Sequence, residues 1–127
     1  MRFSKNRYKM DKNSKYLREL VTMSFLSPFG ISAFEVDGVG SGTILVFDDP
    51  VGFMVSTKAV ELLNKLMEEN KDLKVYNKEY IHGSRKTYNE HFWKRPPQFA
   101  VWTNIPYDVA EEIRKSIEND VVFLKKV

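Results

Sequence analysis

Apolar residues recur at helical spacing directly after Ser14, and this first periodic stretch predicts an α-helix. Ser14 is a residue type favoured at the N-cap, while Pro28 and Gly30 supply a stop. The predicted apolar face is formed by Leu17, Leu20, Val21, Phe25 and Leu26. Residues 1–13 have no sustained period and are predicted to form a flexible arm.

Two strand-like runs follow the helix, "ISAFEV" at 31–36 and "TILVF" at 43–47, on either side of the glycine-rich "DGVGSG". Apolar runs joined in this way are typical of a β-hairpin. Glycine loops that hold phosphate lead into a helix, whereas this one leads into a strand, so a hairpin turn is favoured over a phosphate site. Asp48 and Asp49, beside Pro50, are interpreted as turn formers rather than metal ligands.

The remainder of the chain shows the same order of elements twice. Each half starts with a short apolar strand, at Phe53 and at Phe99, continues into an amphipathic helix and ends in a second strand. The first of these helices is predicted to begin near Thr57. The closing strands are predicted at Leu73–Tyr76 and Val121–Leu124. The apolar stripes of the two helices are Val60, Leu63, Leu66 and Met67, and Val109, Ile113 and Ile117.

Two β-α-β units in tandem predict the α+β class: a ferredoxin-like βαββαβ sandwich with an added N-terminal helix and β-hairpin. A length of 127 residues suits one domain. Within it we place the basic arm at 1–13, the helix and hairpin at 14–50, and the βαββαβ core at 51–127. A long loop at 78–97 interrupts that core.

Positive charge is concentrated in two segments of the chain. The formal net charge is only +3, but residues 1–18 carry seven cationic side chains against one acidic, and residues 78–97 carry five against two. Separated charge of this kind indicates an anionic partner more strongly than the net charge does.

The segment 78–97 is the predicted working surface. Its roughly 20 residues exceed the length of about 12–15 above which an irregular loop is usually functional or disordered. Cationic side chains neutralise phosphates, and aromatic rings offer surfaces on which bases stack. With the basic arm, the segment predicts a small non-enzymatic protein that binds single-stranded or structured RNA or DNA. The predicted binding residues are Arg2, Lys5, Arg7, Lys9, Arg85, Lys86, Tyr88, Phe92, Trp93, Lys94 and Arg95, with Lys78 and Tyr80 as further members.

Two other functions fit the same segment. Tyr, Trp and Arg are enriched in protein interfaces, so the main alternative is an accessory or inhibitory protein that binds a larger protein. Richness in Lys, Asn, Phe, Tyr and Ile, which suggests an A/T-rich genome, associates that role with a phage or mobile element. The third hypothesis is a small nuclease or phosphodiesterase with His82 and His91 as general base and acid. Their nine-residue spacing matches no catalytic signature, so surface histidines are favoured.

The segment "VWTNIPYDVAEEI" at 101–113 resembles the first strand and helix entry of an RNA recognition motif, in which a strand aromatic precedes Asn-Leu-Pro. This resemblance implies that Trp102 holds the position of a base-stacking ring. It covers 13 of 127 residues, and too few residues follow it for the remaining elements of that family. The chain is therefore not assigned to the family.

Composition narrows the remaining possibilities. The absence of cysteine removes disulfides, thiolate zinc sites and cysteine nucleophiles. No apolar run reaches the roughly 18 residues of a membrane span, and no secretory signal follows the basic amino terminus. The expectations are therefore a cytoplasmic protein with no membrane partner, no metal and no cofactor. A homodimer is left open, because an uncovered sheet face invites self-association.

Overall fold

The fold is α+β, with one antiparallel sheet of four strands and three helices among the residues that the structure describes. The computed structural model describes residues 9–27, 30–36, 40–49, 53–81 and 98–126. The elements are α1 (Lys15–Phe25), β1 (Ile31–Val36), β2 (Gly40–Asp48), α2 (Phe53–Glu69), β3 (Val75–Ile81), β4 (Gln98–Thr103) and α3 (Tyr107–Lys126).

The strands lie in the order β1-β2-β4-β3, and every neighbouring pair is antiparallel. The hairpin predicted around "DGVGSG" is confirmed, because β1 pairs with β2 from Ile31 opposite Leu45 to Val36 opposite Gly40. β4 is inserted between β2 and β3, so β1 and β3 are the two edges of the sheet.

The hydrophobic core lies between one face of the sheet and the helices. Leu45 and Phe47 on β2 and Phe99 and Val101 on β4 are buried in the same cluster as residues of α1, α2 and α3. α1 packs against both other helices and against β1 and β2, so it is the middle element of the helical layer. The aromatic rings of Phe47 and Phe99 lie 6.4 Å apart, centroid to centroid, and join the two central strands.

The first helix begins where the sequence predicts. The Ser14 hydroxyl accepts a hydrogen bond from the backbone N–H of Leu17 at 3.4 Å, as an N-cap does, and donates to Glu69 at the end of α2. Leu17 is completely buried, but Leu26, predicted on the same apolar face, follows the helix and is 69% exposed. Gly30 then takes φ +53°, a left-handed conformation that favours glycine.

Neither half of the predicted repeat has a strand at both of its ends. Phe53 starts α2, where a strand was predicted, and residues 121–124 belong to α3 rather than to a closing strand. Apolar residues at 113, 117, 121 and 124 continue the helical spacing of α3, so the apolar run near its end does not mark a new element. The ferredoxin-like order is therefore not what the described residues adopt.

The predicted amino-terminal arm is anchored at its end. Met10 is buried in the core cluster, and Lys12 forms an ion pair of 2.6 Å with Glu112 on α3. Residues 1–8 lie outside the described part of the chain.

A carboxylate cluster on α3 gives stability that depends on pH. Arg114 donates to Oε1 of Glu111 at 2.6 Å and, with a further bond from Tyr107, holds the pKa of that carboxyl below its ordinary value. A lowered folded-state pKa stabilises the fold above the unfolded pKa, and this stabilisation is lost as pH falls through the folded value. We expect Glu111→Gln to lower the free energy of unfolding by roughly 0.5–1 kcal/mol at pH 7 and by less near pH 3, measured by urea unfolding. An equal loss at both pH values would contradict this assignment.

Candidate nucleic-acid interface

The sheet face opposite the three helices, called here the outer face, is built by alternation along the strands. Leu45 and Val101 point into the core, so their neighbours Ile44 and Trp102 point the other way. These two side chains lie opposite each other on the central strands and are half-buried. Val46 and Ala100, next along the same face, are buried. The accessible apolar surface is therefore at the end of the face that holds Trp102.

A bulge in β3 brings another aromatic side chain to that end. The register passes from Val75 opposite Thr103 to Asn77 opposite Trp102, which leaves Tyr76 as an extra residue. A bulge places two residues of one strand opposite a single residue of its partner. Tyr76 consequently lies beside Trp102, and 47% of its surface is exposed.

Phe34 reaches the same place from the opposite edge of the sheet. It pairs with Gly42, which has no side chain, so the ring can extend over β2. The rings of Phe34 and Tyr76 meet edge to face, with centroids 6.5 Å apart and planes at 88°. We call Phe34, Tyr76 and Trp102 the aromatic face. Flat rings accessible on a sheet offer the stacking surfaces that unpaired bases use.

Charge on the outer face is sparse and negative among the described residues. Asp48 and Glu79 lie on it, and no described position of this face is Lys or Arg. Lys71 and Lys74, both exposed, lie in the turn that joins α2 to β3 and so lead directly into the strand that bears Tyr76. Lys74 is two residues before Tyr76 and is held there by a bond from its backbone N–H to the Asn104 side chain at 2.8 Å.

Both basic segments of the chain attach at ends of this sheet. Met10, where the arm joins the described fold, lies with Leu66 and Asn70 at the end of α2, and the following turn leads to the start of β3. The arm is thus attached near the end that bears the aromatic face. The segment 82–97 attaches at the other end, where Ile81 pairs with Gln98.

A cleft lies on the helix side of β3, and its polar side chains form a hydrogen-bonded network with one another. The cleft, of about 380 Å³, is lined by Ser56, Thr57, Val60, Lys78, Tyr80 and Phe99. Tyr80 donates its hydroxyl to Oδ2 of Asp49 at 2.9 Å, and the Ser56 hydroxyl lies 2.6 Å from that of Tyr80. The backbone N–H groups of Val55 and Ser56 donate to the Asp49 carboxylate at 3.2 and 3.3 Å. Asp49 is fully buried and fixes the amino terminus of α2.

The network corrects two predictions made from the sequence. Tyr80 was predicted to offer its ring to bases, but that ring packs 5.3 Å from the ring of Phe99 and its hydroxyl is engaged by Asp49. Asp49 was interpreted as a turn former only, whereas it also stabilises a helix start. An acidic residue shortly before a helix indicates such a role. The sequence did not indicate it for Asp49, because the predicted start of the helix, near Thr57, is too far along the chain.

The predicted binding residues fall almost entirely outside the described part of the chain. This holds for Arg2, Lys5, Arg7, Arg85, Lys86, Tyr88, Phe92, Trp93, Lys94 and Arg95, and for His82 and His91. Lys9 is described and exposed. Lys78, also exposed, lies on β3, since the strand extends to Ile81 and occupies the first residues of the predicted loop. The roles assigned to all of these side chains stay predictions.

The aromatic face itself was not identified from the sequence. Trp102 was singled out by the resemblance at 101–113, but Phe34 and Tyr76 were assigned only to strands. Their approach depends on the strand order and on the bulge, which no local pattern indicates.

Comparison with protein-family models, with curated proteins and with solved structures found no match to this chain. Within the described ranges, no group of three or more His, Asp or Glu side chains is placed to hold a metal ion. None of the helices described is both long and apolar enough to cross a membrane.

Proposed function

We propose that the protein binds single-stranded nucleic acid on the outer face of its sheet, with bases stacked on the aromatic face. The observation that carries the proposal is the edge-to-face contact of Phe34 and Tyr76 on the sheet face that also bears Trp102, with Tyr76 47% exposed. Stacking on aromatic rings tolerates any base sequence and contributes about 1–3 kcal/mol per base.

Phosphate contacts come from cations around the aromatic face. Lys71 and Lys74 precede β3 at the end of the sheet that holds Tyr76, and the basic arm is attached at the same end. The segment 82–97 is long enough to take part. Its sixteen residues leave and rejoin neighbouring strands, so it can extend at most about 26 Å from the sheet. The distance along β3 from Ile81 to Tyr76 is only about 17 Å.

The salt dependence of binding tests this proposal. Labelled single-stranded DNA and RNA homopolymers are titrated with the protein at two or more salt concentrations and followed by fluorescence anisotropy. For about five phosphate contacts we expect a log–log slope near −3.5. Lys74→Ala should make the slope shallower by about 0.7, the contribution of one contact to a single strand.

Lys58→Ala is the matched control for Lys74→Ala. Lys58 is also an exposed lysine, but it lies on α2, on the helical side of the sheet, 3.5 Å from Glu19 and 3.9 Å from Glu61. Its removal should leave the slope unchanged. Failure of both polymers to bind at low salt would overturn the proposal and favour a protein partner. Cleavage of the probe that is lost in His82→Ala or His91→Ala would establish the nuclease instead.

A further inference from the structure

Among the described residues, the edge of β1 that faces away from β2 has backbone groups without a hydrogen-bond partner. The backbone N–H of Val46 donates to the carbonyl of Gly30 at 3.0 Å. Every second residue from Gly30, which includes Ser32 and Phe34, therefore directs its backbone N–H and C=O groups towards β2. In an antiparallel pair these alternate with residues whose groups point away. Ile31, Ala33 and Glu35 therefore direct their N–H and C=O groups away from β2. In the part of the chain that the structure describes, no residue bonds to these groups.

The two edges of the sheet differ in their protection against pairing. β3 has a bulge at Tyr76 and consecutive exposed charges at Lys78 and Glu79, which are features that block strand addition. β1 has regular register over all six of its residues, and Glu35 is its one charged side chain. Ser32 and Ala33, in its middle, are small and exposed. An edge of this kind is a template for another strand.

We propose that β1 pairs with β1 of a second copy of this chain, antiparallel about a two-fold axis at Ala33. In this register Ala33 lies opposite Ala33, and Ile31 lies opposite Glu35 on both sides of the axis. All three residues whose backbone groups point away from β2 then form hydrogen-bonded pairs, with about six bonds in total. A shift by two residues in either direction leaves only two of the three pairs within β1. No like charges oppose each other, and Ser32 faces Phe34 across the interface on the outer face.

We infer a second copy of this chain as the partner because β1 is complementary to itself in this register. A two-fold axis perpendicular to the sheet keeps the outer faces of both copies on one side, because opposing residues of an antiparallel pair share a face. The dimer would have one eight-stranded sheet, with four strands from each copy. Phe34 of each copy would then lie next to the interface, so the two aromatic faces would form one continuous surface. The dimer itself does not depend on nucleic-acid binding.

A charge exchange at residue 33 tests the interface and its register. Sedimentation equilibrium should show a dimer for the unmodified chain and monomers for Ala33→Lys and for Ala33→Glu, since each places like charges on the axis. An equimolar mixture of the two variants should restore the dimer, because Lys then faces Glu. This rescue also excludes misfolding as the reason for the loss. Asn77→Lys and Asn77→Glu, on the other edge strand, are the matched controls and should remain dimeric.

Amide hydrogen exchange gives a second, residue-resolved readout. When the protein concentration is raised through the dimerisation range, exchange at Ile31, Ala33 and Glu35 should slow at least tenfold. Ser32 and Phe34 already bond to β2, so their amides should change less. An unmodified chain that stays monomeric at high concentration, or a dimer in which both residue-33 variants persist as homodimers, would overturn the proposal.

Discussion

The double variant Tyr76→Ala/Trp102→Ala should weaken binding of a single-stranded oligonucleotide by about 2–6 kcal/mol. It removes one ring from the edge strand β3 and one from the central strand β4. The estimate assigns about 1–3 kcal/mol to each base that loses its stacking partner. The dissociation constant should therefore rise roughly 30-fold or more, measured by fluorescence anisotropy at constant salt. The salt slope should stay unchanged, because no phosphate contact is removed.

Tyr16→Ala is the control for this loss of aromatic surface. Tyr16 lies on α1, in the helical layer, with the ammonium groups of Lys15 and Lys65 each 5.4 Å from its ring centroid. Its replacement should leave the affinity unchanged. Tyr76→Ala alone is decisive if the double variant is unstable, since the Tyr76 side chain is 47% exposed. Unaltered affinity in a folded Tyr76→Ala protein would refute stacking on the aromatic face.

Replacement of Asp49 by Ala should lower the free energy of unfolding by roughly 2–4 kcal/mol. The carboxylate accepts from two backbone N–H groups at the start of α2 and from the Tyr80 hydroxyl, and it is fully buried. Loss of an N-terminal acceptor costs about 0.5–2 kcal/mol. A buried donor left without its partner adds about 1–3 kcal/mol. Urea unfolding followed by circular dichroism measures the change.

Its neighbour Asp48 supplies a matched comparison. Asp48 is half-buried and accepts from the side chains of Gln98 at 3.0 Å and Ser27 at 3.4 Å. Asp48→Ala should cost about 1–2 kcal/mol, less than Asp49→Ala, because it removes two side-chain hydrogen bonds at a half-buried carboxylate and leaves the start of α2 intact. Tyr80→Phe should cost about 1 kcal/mol, since it removes one hydroxyl and leaves the helix start intact. Equal losses in Asp48→Ala and Asp49→Ala would show that the buried network does not set the stability of α2.

The two proposals concern different parts of the sheet and can fail separately. Nucleic-acid binding depends on rings that project from the outer face, whereas dimerisation depends on backbone groups in the plane of the sheet at β1. A monomer that binds single strands would retain the aromatic face and exclude the two-fold pairing. A dimer with no affinity for either polymer would retain the pairing and leave a protein partner as the better explanation of the exposed rings.

Sequence patterns identified the elements that are stabilised by local interactions. The Ser14 cap and the period of Leu17, Leu20 and Val21 determined α1, and two apolar runs around a glycine-rich connection determined the hairpin of β1 and β2. The α+β class followed from these patterns and from the amphipathic periods of the later helices. The concentration of basic residues in two segments is also a property of the sequence alone.

Tertiary structure decided what local patterns leave open. A short apolar run suits a strand or a turn of helix equally well, and the structure assigns residue 53 and residues 121–124 to helices. The insertion of β4 between β2 and β3 placed Trp102 between strands that are distant in the chain, and the bulge placed Tyr76 beside it. The aromatic face and the free edge of β1 therefore arise from contacts between residues far apart in sequence, which the periodicity of any one segment does not encode.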